Sequence, residues 1–113
     1  MISLGFFFMP TPAETYNNLL KEIEVVEWDA LADHYKRGAI LVVKEGEDLA
    51  KVGMCIADDR VDQIKKWLSA GILSGPDDMQ VKLWKTAQEI AFKFIIVQPY
   101  VLVQVSPKEA PTA

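Results

Sequence analysis

The segment Phe94-Ile95-Ile96-Val97-Gln98-Pro99-Tyr100-Val101-Leu102-Val103-Gln104-Val105 leaves this chain few ways to fold. It is apolar and rich in β-branched residues, the pattern of strand that is buried on both faces. Pro99 interrupts it. Proline has no N–H to give to a ladder, so it belongs at an edge, a bulge or a turn between two strands. Two strands, 93–97 and 100–105, are therefore predicted, and other elements must cover them.

Upstream, Thr11-Pro12-Ala13-Glu14 has the capping-box pattern, and Tyr16, Leu19, Leu20 and Ile23 follow at helical spacing, which predicts a helix from 12 to about 24. A second helix is predicted over 28–37, with Trp28, Leu31, Ala32 and Tyr35 as its apolar stripe and Gly38 as its stop. Ala39-Ile40-Leu41-Val42-Val43 reads as a buried strand that ends at Glu45-Gly46. Residues 48–57 fit either a helix capped by Asp48 or a strand, and the helix is preferred. Asp58-Asp59 supplies an N-cap for a helix over 60–70, with Val61, Ile64, Trp67 and Leu68 inward and Gly71 at its end. Ile72-Leu73 is read as an extended link. A last helix runs to about Gln88 with Met79, Leu83, Trp84 and Ala87 inward, and Asp77 and Asp78 favour its start through the helix dipole.

These elements make an α+β domain: a small mixed sheet of about three strands (39–44, 93–97, 100–105) packed against four or five helices. The chain has 113 residues, enough for one hydrophobic core. The domain is expected over 11–105, with a flexible tail at 106–113. Residues 1–10 form an extension containing Phe6-Phe7-Phe8-Met9. It lacks a basic n-region and is too short to span a bilayer. This segment is expected to be disordered or loosely packed, and Met9 offers an alternative start.

Twelve Lys plus Arg against sixteen Asp plus Glu give a net charge of −4. Polyanions are repelled by such a surface, so neither nucleic acid nor an anionic membrane is the expected partner. The single cysteine, Cys55, lies in an apolar stretch and has no internal partner for a disulfide. A reducing cytoplasm suits it best.

No set of residues has the types and spacing that a known chemistry requires. The one histidine, His34, sits on a helix with no nucleophile near it in sequence. Ser3, Ser69, Ser74 and Ser106 lie outside any nucleophile-elbow pattern. No metal or cofactor site is expected. Asp58-Asp59 and Asp77-Asp78 can cap helices or do acid-base work, and capping already explains them. Helices 60–70 and 76–88 have the rhythm of a helix-turn-helix, but Lys82 and Lys85 are balanced by Asp77 and Asp78 where a recognition helix should be basic.

Glu27-Trp28-Asp29, the strand 39–43, Asp48-Leu49, Ile56-Ala57-Asp58-Asp59, Trp67 and the ending 96–104 occur in an order that resembles the bacterial family called domain of unknown function 2288. The ending is similar to that of its cyanobacterial members. The resemblance covers about residues 14 to 105 and implies no activity, because none is established for the family. No catalytic residue carries over. The segment before Thr11 departs from the family's usual pattern.

The leading expectation is a cytosolic, non-catalytic module for protein interaction, assembly or regulation. It would contact a partner, or a second copy, through Gln98, Tyr100 and Gln104. The rival is a small-ligand protein or enzyme using Asp58, Asp59, Arg60 and His34. Winged-helix-like DNA binding is the weaker alternative.

Overall fold

A computed structural model describes residues 11–87 and 89–107. The expectations for 1–10 and for 108–113 lie outside these residues. The described elements are α1 (Pro12–Glu22), β1 (Glu24–Val26), a 3-10 turn (Trp28–Ala30), α2 (Ala32–Lys36), β2 (Ile40–Val43), α3 (Leu49–Ala57), α4 (Val61–Ala70), β3 (Leu73–Ser74), α5 (Asp78–Thr86), β4 (Ile90–Val97) and β5 (Tyr100–Pro107).

The sheet has five strands in the order β1-β4-β5-β2-β3, against the three predicted. β2 and β5 run parallel, and every other neighbouring pair is antiparallel. The two strands that were not foreseen are the edges. β1 has three residues, of which only Glu24 falls in the predicted helix to about 24, and β3 has two, of which Leu73 falls in the predicted link. Strands so short show no periodicity, and only pairing with a neighbour makes them strands. β4 and β5 are longer than predicted, since β4 begins at Ile90 and β5 continues through Ser106, opposite Ala91, to Pro107, while β2 is shorter than the predicted 39–44.

Gln98 and Pro99 form the turn of the β4–β5 hairpin, with Val97 paired to Tyr100 across it. The Gln98–Pro99 peptide bond is cis. Both faces of the sheet are covered, which accounts for the unbroken apolar run in β5. On one face Leu102, Ile95, Val97, Val43 and Leu73 meet Leu19 of α1 and Leu49, Ala50 and Val52 of α3. On the other, Val101, Val103, Ile40, Val42 and Phe92 meet Trp28, Leu31, Val81 and Trp84. Each large side chain removed from water in this way contributes about 1.5–3 kcal/mol. Trp28, Trp84 and Phe92 pack with ring centroids 5.2–6.0 Å apart, in tilted and edge-on geometry.

The predicted caps form at three helices. Thr11 accepts from Glu14 N, Asp48 from Lys51 N, and Asp77 from Gln80 N, while Gln80 Oε1 accepts in turn from Asp77 N. The expected single helix over 28–37 is broken into the 3-10 turn and the short α2 around the fully buried Leu31.

Several predicted details change. Asp58 and Asp59 do not cap α4, whose N-cap is Arg60 without a side-chain bond. They end α3 instead. Arg60 N donates to Cys55 O and Asp59 N to Ile56 O, a Schellman closure with Asp59 in the left-handed region at φ 56°. Gly38 and Gly71 hold the same place after α2 and α4. In α5 the inward residues are Val81 and Trp84, while Met79 and Leu83 are 72% and 64% exposed. That helix carries two apolar stripes, and the one that meets Trp28 and Phe92 is buried. In α4, Ile64 and Trp67 pack inward but Val61 and Leu68 face solvent, because the helix lies at the β3 edge and is covered from one side.

The helix-turn-helix reading fails on geometry. A strand, β3, separates α4 from α5, and the two helices pack on opposite faces of the sheet.

Candidate functional site

The Schellman turn after α3, one side of α4 and the β4–β5 hairpin turn enclose a groove of about 450 Å³. Leu41, Ile56, Ile64, Leu68, Leu73 and Pro99 form its walls, and Asp59, Gln98 and Tyr100 supply polar groups. Leu68 and Tyr100 stay 49% and 40% exposed at this site. Grooves of this size, mainly apolar with a few polar groups, are the usual form of a small binding site.

Its chemistry is simple. Asp59 is its one charged residue, and the Asp59 carboxylate makes no hydrogen bond or ion pair among the described residues. Arg60, next in sequence, is turned toward Asp58 at 3.9 Å. The Gln98 amide and the Tyr100 hydroxyl are likewise without intramolecular partners among the described residues. Beyond Asp59 the groove adjoins a second, polar depression lined by Asp59, Arg60, Val61, Asp62, Gln63 and Lys66.

The predicted site residues are thus regrouped. Gln98 and Tyr100 come together with Asp59, although they were assigned to rival readings. Gln104 does not join them. It is 6% exposed, and its Nε2 donates to Lys44 O at 2.9 Å and to Glu47 O at 2.7 Å, which pins the turn after β2 against β5. Its expected place on an exposed contact surface is therefore corrected. His34 does not join Asp58, Asp59 and Arg60 either. It belongs to α2, on the opposite face of the sheet from α3 and α4, and its Nδ1 is contacted by Arg37 Nη2. The groove's walls were missed because Ile56, Ile64 and Leu68 were read as helix positions pointing into a core.

Burial pushes the Cys55 thiol up, and Arg60 and Lys51 offset this only in part, so the thiol is protonated at neutral pH. Tyr16 is raised by its hydrogen bond to Asp48, and Tyr35 by desolvation followed by the charge of Asp78. Among the described residues, no three His, Cys, Asp or Glu side chains gather as a metal-ligand set. No helix of these residues is long and apolar enough to cross a membrane.

A family model described as a protein of unknown function, DUF2288, matches residues 14–105, which include every residue of the groove. The chain belongs to the DUF2288 family. Its fold is similar to the solution structure of PA1075 from Pseudomonas aeruginosa, determined by NMR, with a TM-score of 0.72 and 28% identity over 95% of this chain and 97% of that one. No curated protein matches the chain. DUF2288 membership carries no assigned activity, so function has to be argued from the groove itself.

Proposed function

We propose that this DUF2288 protein is a non-catalytic cytoplasmic binding module that contacts a protein partner through the groove between α3, α4 and the β4–β5 turn. One observation carries the reading: Gln98 and Tyr100, unpartnered within the described chain, sit beside a trough whose apolar walls include the exposed Leu68. Tyrosine is favoured at interfaces because it offers a rigid apolar body with a polar tip, and exposed apolar side chains around a concave surface mark contact sites.

A pull-down from native cytosolic extract tests this. The wild-type chain should retain a specific protein that Tyr100→Ala and Leu68→Glu lose, while both variants keep the wild-type thermal transition. Equal retention by all three would remove the groove from consideration.

A small-ligand protein is the second reading, favoured by the volume of the groove and by the free Asp59 carboxylate. His34 takes no part in that reading, because α2 lies on the other face of the sheet, which leaves Asp58, Asp59 and Arg60 as its polar residues. A thermal-shift screen of small metabolites against the wild type and Leu68→Glu separates the two. Stabilisation of the wild type alone would favour the ligand.

A further inference from the structure

We propose that the segment received by this groove is an apolar stretch of a partner protein carrying a lysine or arginine that pairs with Asp59. The inference rests on the groove being the contact surface, and it adds the chemistry of what enters.

The walls set the first requirement. Ile56, Ile64, Leu68 and Pro99 offer no hydrogen bond through their side chains, so the occupant must bring apolar side chains to gain from being there. Asp59 sets the second. Its carboxylate is the one charge on the groove, and no group of the described chain neutralises it. Asp59 is exposed, so an occupant lying over it gains from supplying a cation about what an exposed ion pair is worth, and one without a cation forgoes that gain. An acidic occupant is opposed by the same charge and by the net charge of −4.

Extent sets the third requirement. Asp59 lines both the apolar groove and the adjoining depression, so the accessible surface runs on past the carboxylate along the start of α4, where Val61 is also exposed and the further charges, Asp62 against Lys66 and an Arg60 turned to Asp58, balance. A peptide can lay apolar side chains on one side of Asp59 and a basic one over it.

The test is selection of a random peptide library displayed on phage against the full chain and, in parallel, against Asp59→Asn and Leu68→Glu. Asparagine tolerates the left-handed backbone of position 59, so that variant keeps the turn while removing the charge. Wild type should enrich apolar peptides with a lysine or arginine, Asp59→Asn should enrich apolar peptides without that bias, and Leu68→Glu should enrich neither. Changing the basic residue of an enriched peptide to glutamine should weaken binding about two- to fivefold to the wild type and leave binding to Asp59→Asn unchanged, the range expected for one exposed ion pair. Enrichment of acidic or uncharged peptides, the same peptides on wild type and Asp59→Asn, or no enrichment at all would overturn the proposal. If Leu68→Glu still loses the partner in the pull-down while these selections fail, the groove reading stands and only its chemistry is wrong.

Discussion

Tyr16 Oη donates a 2.6 Å hydrogen bond to Asp48 Oδ2, and this contact joins the first helix to the N-cap of the third. The other oxygen of the same carboxylate accepts from Lys51 N. One side chain therefore both starts α3 and ties α1 to it. Asp48→Ala should lower unfolding stability in urea by about 1 kcal/mol from the lost cap alone, with a further loss from the tyrosine contact. Tyr16→Phe should cost less than Asp48→Ala, because it leaves the cap in place.

The same contact sets a pH dependence. The Tyr16 phenol is raised above its ordinary value of 10.0, first by the hydrogen bond to Asp48, so the folded chain holds this proton more tightly than the unfolded chain does. Its contribution is fully present below pH 10 and is lost as pH rises through the raised folded value. Stability measured against pH on the alkaline side should fall more steeply in the wild type than in Tyr16→Phe. Parallel curves would show that the contact does not persist in solution.

Gln104 is predicted to matter for the fold and not for contact with a partner. Gln104→Leu removes the donor to Glu47 O and one of the two donors to Lys44 O, which still accepts from Glu47 N, and a loss of about 1–2 kcal/mol is expected. The variant should capture the same protein as the wild type at a temperature where it is folded. Loss of capture with stability intact would return Gln104 to the contact surface.

Gly53 sits where α3 approaches the sheet, and a Cβ placed there would lie 2.8 Å from Ile95 Cδ1 and 3.2 Å from Leu19 Cδ1. Two effects oppose each other in Gly53→Ala. Alanine gains about 1 kcal/mol in helix propensity, and overpacking costs about 1–3 kcal/mol. A small net loss is expected. Gly53→Val adds two more carbons to the same contact and should lose several times as much, as denaturant midpoints would show.

Asp59 holds a left-handed conformation in which glycine would be unstrained. Asp59→Gly should therefore raise stability by about 0.5–1 kcal/mol while weakening partner capture, and Asp59→Val should destabilise the chain. A glycine variant that is less stable than the wild type would mean that the Asp59 side chain supports the turn.

The β4–β5 hairpin, the buried strand β2, the helices other than the broken one at 28–37 and the caps at Thr11, Asp48 and Asp77 were determined by the sequence itself. Each follows from local chemistry: an apolar run, a proline without an N–H, or a short polar side chain before a helix. The two edge strands were beyond such reasoning, because three and two residues have no period and become strands only when β4 and β2 offer them partners. The stripe of α5 that faces inward was decided by where Trp28 and Phe92 lie. The candidate site divides in the same way. Asp59, Gln98 and Tyr100 were recognisable as residue types, and so was Gln104. That the first three share a groove while Gln104 is buried beneath the 44–47 turn depends on contacts between segments far apart in the chain, which only the tertiary structure brings together.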